Sequence, residues 1–267
     1  MTLYAIGDIH GQLAWLRWAH DAIRRDGEAH GTVGAPIVHL GDYTDRGPDS
    51  RGVIDYLIEG RAAGAPWLCV LGNHDRMFLK FLEDPEWHDP RLWTDLDWLH
   101  PRLGGTETLA SYGITRSKGE PVAELHARFA QVVPAEHRAF LTGLKLGFET
   151  PDLALVHAGV RAGIPLADQE EDDLIWLRDE FLADETDHGH LIVHGHTVTD
   201  LPEHAGNRVN LDTGAGYGKP LTAAVFEGRD CFILTDKGRE YLPPQNGSAP
   251  SPMAGMTMPF ASPKPIR

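Results

Sequence analysis

Cysteine is scarce in this chain of 267 residues, since only Cys69 and Cys231 occur, each inside a short apolar run. Both are expected to be buried thiols; a disulfide is the less favoured alternative, because nothing else suggests a secreted scaffold. No apolar run approaches the roughly 18 residues that a membrane-spanning helix needs. No basic leader precedes the first apolar stretch at residues 3–6, so we expect no membrane association and a cytoplasmic location.

Positive charge is also in short supply. The 24 Lys and Arg residues stand against 39 Asp and Glu residues, and the formal net charge is −15. No block of Lys or Arg offsets this excess, so the chain as a whole repels nucleic-acid phosphate, and nucleic-acid binding is not expected. Any site for anions must therefore obtain positive charge locally, from metal ions or from a few arginines.

The length and the ordinary share of hydrophobic residues, 42%, fit one α/β domain with an ample core. We expect a catalytic domain over residues 1–242. Within it, residues 83–150 are expected to form a helical insertion that sets substrate selectivity. Packing is the favoured role of Trp87, Trp93 and Trp98, and recognition is the alternative. Residues 243–267 are rich in Pro, Ser, Gly and Met without periodicity, which predicts a disordered tail.

A buried strand followed by a polar loop and a helix occurs three times in the first 83 residues. The three loops read Gly7-Asp8-Ile9-His10-Gly11, Gly41-Asp42-Tyr43-Thr44-Asp45-Arg46-Gly47 and Gly72-Asn73-His74-Asp75. Strands at 153–156 and 191–193 end at His157 and at His194-Gly195-His196, and the runs 209–211, 221–226 and 231–234 are expected to close a second sheet. Strand ends of layered sheets converge on one edge, so these polar residues should meet there.

The strand-end residues offer mixed oxygen and nitrogen donors without a thiolate: Asp8, His10, Asp42, Asn73, His157 and His196. Such a set suits two divalent ions, such as manganese, iron or zinc, with Asp42 as the natural bridge. A water that bridges two ions has a lowered pKa and can attack phosphorus as hydroxide. Any one of these residues alone would more often be an ordinary surface or core group. Together they indicate phosphoester hydrolysis at a dinuclear metal centre.

The five motifs resemble those of the calcineurin-like metallophosphoesterases, and most closely those of bacterial and phage PPP-type protein serine/threonine phosphatases. The resemblance extends from residue 3 to about residue 234. It implies an α/β fold, a four-layer sandwich in which two mixed β-sheets are flanked by helices, with the metal centre at one edge.

The resemblance also implies roles for individual residues. It places one metal ion on Asp8, His10 and His196 and the other on Asn73 and His157, with Asp42 bridging; Mn²⁺ is favoured, and Fe or Zn are alternatives. His74 corresponds to the general acid that protonates the leaving group, and Asp45 to the carboxylate that orients it and holds its proton near neutral pH. Arg46 and Arg178 correspond to phosphate-binding arginines. His194 is expected to be structural or to support the metal ligands.

The choice of substrate depends on two aspartates. Asp75 stands where protein phosphatases of this group usually carry Glu, and in this respect the chain resembles symmetrical diadenosine tetraphosphate hydrolases. Asp45 favours a phosphatase, because those hydrolases lack an aspartate at that position. We therefore expect a protein serine/threonine phosphatase that acts on a phosphorylated protein or a small phosphoester. The dinucleotide hydrolase is the alternative, and a non-catalytic phosphoprotein-binding scaffold is a remote one.

Overall fold

Two six-stranded β-sheets form the centre of the protein in a computed structural model, which describes residues 1–245 and 262–266. The strands are β1 Thr2–Ile6, β2 Ile37–His39, β3 Trp67–Cys69, β4 Gly147–Glu149, β5 Leu153–Val156, β6 Leu191–His194, β7 Glu203–His204, β8 Arg208–Asn210, β9 Ala223–Glu227, β10 Asp230–Thr235, β11 Gly238–Tyr241 and β12 Lys264–Ile266. The first sheet has the order β11-β10-β9-β1-β2-β3, and the second has the order β12-β4-β5-β6-β8-β7.

Helices cover the outer faces of both sheets. They are α1 Leu13–His30, α2 Ser50–Ala62, α3 Asn73–Glu83, α4 Gly105–Ser111, α5 Val122–Val132, α6 Ala135–Thr142, α7 Glu171–Trp176 and α8 Asp179–Leu182, with short 3₁₀ turns at Leu166–Asp168 and Ala215–Tyr217. None of the helices in the described ranges combines the length and the apolar character that crossing a bilayer requires.

Alternation along β1 produces the layers. Leu3 and Ala5 belong to the cluster between the two sheets, whereas Tyr4 and Ile6 belong to the cluster under α1 and α2. On the second sheet, Leu153 packs between the sheets while Ala154 faces the helical side. Because successive strand residues point to opposite faces, one buried strand supports a sheet–sheet core and a sheet–helix core at once. The expected four-layer α/β fold is confirmed.

Both sheets are mixed. In the first sheet β1, β2 and β3 run parallel, and β9 pairs antiparallel with β1 through Leu3↔Phe226. The expectation that residues 221–226 and 231–234 close the second sheet is therefore wrong, since β9 and β10 extend the first one. An apolar strand pattern shows that a strand is buried on both faces, but it does not show which neighbour pairs with its backbone.

The inserted segment and the tail differ in part from the expectation. Residues 84–104 form turns, the helices α4 to α6 follow them, and β4 at the end of the segment belongs to the second sheet. Of the tail, residues 246–261 and 267 lie outside the described residues. Lys264–Ile266, which was expected to be disordered, pairs as β12 with β4, because Ile266 is buried on the second sheet's helical side. The domain boundary at residue 242 stays a prediction.

The two cysteines are free and buried, as expected. Cys69 ends β3 next to the Tyr43 ring, and Cys231 lies in β10 between the sheets. Burial raises the pKa of the Cys69 thiol to about 12, so it stays protonated and behaves as a small apolar group.

Candidate metal centre and active site

The loops after five strands bring all six predicted metal ligands together. Asp8 and His10 follow β1, Asp42 follows β2, Asn73 follows β3, His157 follows β5 and His196 follows β6, and none is more than 6% exposed. Backbone hydrogen bonds join the loops directly: the His10 N–H donates to the Asp42 carbonyl at 2.7 Å, and the Gly195 N–H donates to the His157 carbonyl at 2.8 Å. The ligand positions are thus fixed by the ends of both sheets.

The backbone at this edge is held in an uncommon conformation. In the described ranges, the non-glycine residues with positive φ are His10, Asp42, Asp45, Arg46 and His196, at 45°, 51°, 71°, 65° and 63°. A side chain in this left-handed region costs conformational energy that the surrounding structure must offset. All five residues belong to the predicted site, which is where strain of this kind concentrates.

Asp75 ties two of the loops together. Its Oδ1 accepts the Tyr43 N–H at 2.9 Å, and its Oδ2 accepts the Gly72 N–H at 3.1 Å. The two loops approach so closely that a Cβ on Gly41, whose φ is 99°, would lie 2.7 Å from the Gly72 nitrogen. Asp75, which is fully buried, therefore sets the spacing of the two ligand loops. A glutamate at this position, with a longer side chain, would change that spacing.

The first group of ligands surrounds Asp42 Oδ2. His10 Nε2 lies 3.4 Å from this oxygen. The His10 Nδ1–H donates to the Thr44 carbonyl at 2.7 Å, which leaves the lone pair on Nε2. Asp8 Oδ1 is buried and has no hydrogen-bond partner among the described residues. A buried carboxylate oxygen without a partner is costly, and a cation would satisfy it.

The second group surrounds Asp42 Oδ1, which lies 3.4 Å from His157 Nε2. The His157 Nδ1–H donates to the Leu40 carbonyl at 2.8 Å, so Nε2 carries a lone pair and faces the Asn73 Oδ1 acceptor at 2.9 Å. Two acceptors in contact repel each other unless a cation lies beside both. Their contact therefore fits a shared metal ion.

The ring of His196 lies beside this second group, while the expectation that it shares a metal ion with Asp8 and His10 stays a prediction. His196 Nε2 accepts a hydrogen bond from Arg178, so its Nδ1–H donates to Asn73 Oδ1 at 2.9 Å, while its backbone N–H donates to Asp8 Oδ2 at 3.0 Å. The backbone of His196 thus supports the first group and its ring contacts the second. A sequence motif can identify a metal ligand. Its χ angles decide on which side of the bridging Asp42 carboxylate the side chain lies.

A third carboxylate, Asp212, lies in the centre and was missed in the sequence. It is 2% exposed, and its like charge acts on Asp8. Burial, Asp212 and Asp42 together raise the pKa of Asp8 well above its ordinary value, and burial raises the pKa of Asp42 to about 7. Asp212 follows β8, so the strand-end rule that found the other ligands would have found it too.

Three buried carboxylates and four neutral nitrogen or amide donors make a set that two divalent cations would neutralise. Ligand atoms of Asp42, His157 and His196 converge within 4.8 Å of one another. Those of His10 and Asp42 converge likewise, and the predicted acid His74 lies beside them. The residues present therefore fit a pair of divalent ions bridged by Asp42.

Metal-free protein is expected to lose stability as the pH rises from about 6.5 to about 8. Burial raises the pKa values of Asp42 and Asp75 to about 7 each, so the folded state holds protons that the unfolded chain has released. Stability that these protons provide is lost as the pH passes the folded pKa. The lowered pKa of buried histidines, about 4 for His157, has the opposite effect, which is largest below the ordinary histidine pKa of 6.5 and fades above about 7. Burial also raises the pKa values of Asp8 and Asp45, and their protons add to the fall above that pH.

Calorimetry in EDTA should show the Tm falling by roughly 5 °C over this pH range, since the free energy of unfolding decreases by about 2 kcal/mol. Added Mn²⁺ should remove most of the fall, because it binds the ionised carboxylates. A Tm that is constant or rising between these two pH values in EDTA would contradict the placement of these carboxylates in the site.

The second functional unit is the pair of His74 and Asp45, which the structure brings into contact as expected. His74 Nδ1 donates to Asp45 Oδ2 at 2.7 Å. Asp45 is fully buried and also accepts the Trp98 Nε1–H at 2.9 Å and the Thr108 hydroxyl at 2.7 Å. Trp98 packs against Phe78, as expected of a packing residue, but its indole N–H also supports Asp45, which the sequence did not reveal.

Replacing Trp98 by phenylalanine keeps the ring and removes this N–H. Because Asp45 then loses one of three side-chain donors, we expect kcat on alkyl phosphates to fall by roughly tenfold to a hundredfold, with KM nearly unchanged. Steady-state kinetics of Trp98→Phe measure this. Trp93→Phe is the control, because Trp93 is 69% exposed and the packing role expected for it is wrong. Wild-type kcat in Trp98→Phe would show that the indole only packs.

Arg46 connects the two units. Its Nη1 donates to His10 Nε2 at 2.6 Å, and its Nη2 donates to His74 Nε2 at 2.9 Å. Burial and the Arg46 charge lower the pKa of His74 well below its usual range. The expectation that Asp45 keeps His74 protonated near neutral pH is therefore not met while Arg46 faces it. Protonation at Nε2 requires the guanidinium to turn away.

Arg178 and Tyr217 border the site. The Arg178 Nε–H donates to His196 Nε2 at 2.8 Å, so the two predicted phosphate-binding arginines flank the ligands from different sides. The Arg46 guanidinium lies 4.9 Å from the centroid of the Tyr217 ring, which is 62% exposed. The sequence did not single out Tyr217, and its place in a Gly-rich turn after β8 gave no helical or strand periodicity to mark it.

His194 stays outside both units. It is fully buried, and the centroid of its ring lies 5.0 Å from that of the Phe181 ring. Burial lowers the pKa of His194 to about 3. Its position one residue before Gly195 therefore serves packing under the second sheet.

This fold and this arrangement of ligands define a metal-dependent phosphoesterase site, and the comparison with known proteins agrees. The chain belongs to the calcineurin-like phosphoesterase family, whose family model matches residues 1–217. It is accordingly a hydrolase of phosphoesters. Members of this family typically use two divalent metal ions.

Relatives of known name are more distant. The asymmetrical bis(5'-nucleosyl)-tetraphosphatase PrpE of Oceanobacillus iheyensis is 25% identical over 258 residues, which cover 89% of this chain and 93% of that protein. A solved structure described as a candidate diadenosine tetraphosphatase has 23% identity and a TM-score of 0.56, covering 92% of this chain and 95% of that one. A cold-active protein tyrosine phosphatase of a psychrophilic Shewanella species has 17% identity and a TM-score of 0.55, with 90% and 80% covered. The two solved structures show a shared fold.

Proposed function

We propose that the protein hydrolyses phosphomonoesters with poor leaving groups, and that phosphoserine and phosphothreonine in proteins are its substrates. The observation that supports this most is the His74–Asp45 pair, with three side chains donating to Asp45. A serine or threonine alkoxide is a strong base and must be protonated as it leaves. A phosphate leaving group, as in a dinucleotide polyphosphate, is a weak base and needs little help. The pair is therefore useful chiefly for alkyl esters.

Asp8, His10 and Asp42 would hold one divalent ion, and Asp42, Asn73, His157 and His196 would hold the other. Bound divalent ions lower the pKa of water and neutralise phosphoryl oxygens. Asp212, whose charge helps to raise the pKa of Asp8, would add negative charge on the side of the first ion. Mn²⁺ is the ion that we propose.

The arginines then act on the phosphoryl group. Arg46 can give its two Nη donors to phosphate oxygens in place of His10 and His74, and Arg178 can do the same from the side of His196. When Arg46 turns to the phosphate, His74 Nε2 is free to carry a proton. His74 then donates that proton to the leaving oxygen while Asp45 holds Nδ1–H. Substrate binding thus prepares the acid.

A second candidate, hydrolysis of a dinucleotide tetraphosphate, has one specific support. The relative that matches over nearly the whole of both chains is named for asymmetrical cleavage of such molecules. The exposed Tyr217 ring, next to Arg46, offers a flat surface on which a nucleobase could stack. If this activity exists, the relative's name favours asymmetrical over symmetrical cleavage.

A substrate panel with Mn²⁺ separates the two. We expect release of inorganic phosphate from phosphoserine and phosphothreonine peptides with kcat/KM at least about tenfold above that for diadenosine tetraphosphate and for phosphotyrosine. Asymmetrical cleavage of the dinucleotide would give ATP and AMP, and symmetrical cleavage would give ADP alone. No phosphate from any peptide, together with rapid formation of ATP and AMP, would replace the first proposal by the second.

A further inference from the structure

A cavity of about 410 Å³ lies at the opposite end of β2 and β3 from the metal centre, where α1 and α2 approach the sheet. Ile37 and Trp67, the first residues of these strands, line it, and so does His20 of α1. Its volume lies in the range of ligand sites, roughly 300–1,000 Å³. The hydrolytic mechanism uses none of its residues.

His20 has a fixed tautomer. The His39 Nδ1–H donates to the Leu68 carbonyl at 3.1 Å, so His39 Nε2 carries a lone pair and must accept from His20 Nε2 at 3.0 Å. Burial lowers the pKa of His20 to about 2 and that of His39 to about 4, so both rings are neutral. His20 is 8% exposed, and its Nδ1, with a lone pair, has no hydrogen-bond partner among the described residues. The cavity wall therefore presents one unused acceptor.

Aromatic rings surround this acceptor. The Trp67 ring lies 4.1 Å from the His20 ring and 5.3 Å from the Tyr56 ring, by centroids. Gly60 allows the Trp67 ring to pack directly on the backbone of α2, since a Cβ at position 60 would lie 1.8 Å from that ring. Trp67 and Tyr56 are half-buried, so each keeps ring surface exposed to a ligand. These walls suit a planar ring.

A cation lies at the rim. The Arg17 guanidinium is exposed, 5.7 Å from the centroid of the Tyr56 ring, and within the described ranges no carboxylate pairs with it. Arg24 and Arg25 on the same helix both pair with Asp21. Arg17 is thus the arginine of this helix face that is free to meet a negative group.

We propose that this cavity binds a planar heteroaromatic anion that carries an N–H donor, of the size of a nucleoside monophosphate. The ring would lie against Trp67 and Tyr56, its N–H would donate to His20 Nδ1, and its anionic group would meet Arg17. The site is separate from the metal centre, at the other end of the same strands, so ligand bound there would not occupy the hydrolytic site.

Isothermal titration of the metal-loaded enzyme tests this with adenosine and adenosine 5'-sulfate, which has no phosphorus to attack. We expect one saturable site for each. His20→Phe should weaken both ligands by about tenfold or more, because the acceptor is lost. Arg17→Gln, at an exposed position, should weaken adenosine 5'-sulfate by about fivefold and leave adenosine unchanged. Arg91→Gln, at an exposed position away from the cavity, is the control and should change neither, whereas Arg25 would not serve because it pairs with Asp21 of the cavity wall.

Binding must also persist when inorganic phosphate saturates the metal centre. Absence of saturable binding of both ligands would overturn the proposal. So would binding that phosphate displaces, or binding that Arg17→Gln and His20→Phe leave unchanged.

Discussion

Replacing His74 by asparagine is expected to lower kcat on a phosphoserine peptide by roughly 10²–10⁴-fold, the range that general acid catalysis contributes. Asparagine cannot donate a proton to the departing alkoxide. An aryl phosphate with an activated leaving group, such as p-nitrophenyl phosphate, should lose far less, because its phenoxide leaves without protonation. Metal content should stay at the wild-type level, since the Asp42 and Asn73 side chains are unchanged. Steady-state kinetics on both substrates and elemental analysis measure these three quantities.

His88→Asn at an exposed position is the control for this substitution and should be as active as the wild type. If His74→Asn lost activity equally on the peptide and on the aryl phosphate, the acid role would be wrong. The contact of His74 with Arg46 would then matter for phosphate binding instead.

Replacing Asp42 by asparagine should have a comparably large effect through the metal ions. Its two oxygens each lie 3.4 Å from a histidine Nε2, and an amide offers one neutral oxygen in place of a bridging carboxylate. We expect at least one of the two ions to be lost and kcat/KM to fall by roughly 10³-fold, since metal ions supply several kcal/mol of stabilisation. Elemental analysis after dialysis measures the first effect. Asp95→Asn, the same change at an exposed position, is the control.

Full metal content in Asp42→Asn would contradict the bridging role. Lost activity with both ions retained would instead point to the hydrogen bond that Asp42 Oδ1 accepts from the His74 backbone N–H at 3.0 Å.

Sequence reasoning found the residues of the site because their positions follow one simple rule. Asp8, Asp42 and Asn73 each follow a buried strand, and strand ends of one sheet meet at one edge. The same rule predicted that histidines after β5 and β6 reach that edge from the second sheet. Asp212 obeys the rule equally and was missed only because its loop carried no recognised motif.

Other features depend on three-dimensional contacts that spacing does not encode. The N–H of Trp98 reaches Asp45 across 53 positions of sequence, and the apolar surroundings of that residue indicated packing. The ring of His196 turns to Asn73, which its position after β6 leaves undetermined. β9 lies beside β1 because their backbones pair, and an apolar strand pattern does not predict which strand is the pairing partner. Burial lowers the pKa of His74, and its contact with Arg46, which lowers that pKa further, likewise appears only in the fold.

A crystal structure of the Mn²⁺-loaded protein, with anomalous difference maps, tests the central claim most directly. The arrangement of ligands predicts two manganese peaks on either side of Asp42. One should lie on Asp8 and His10, and the other on Asn73, His157 and His196. A single peak, or two peaks away from Asp42, would contradict the account.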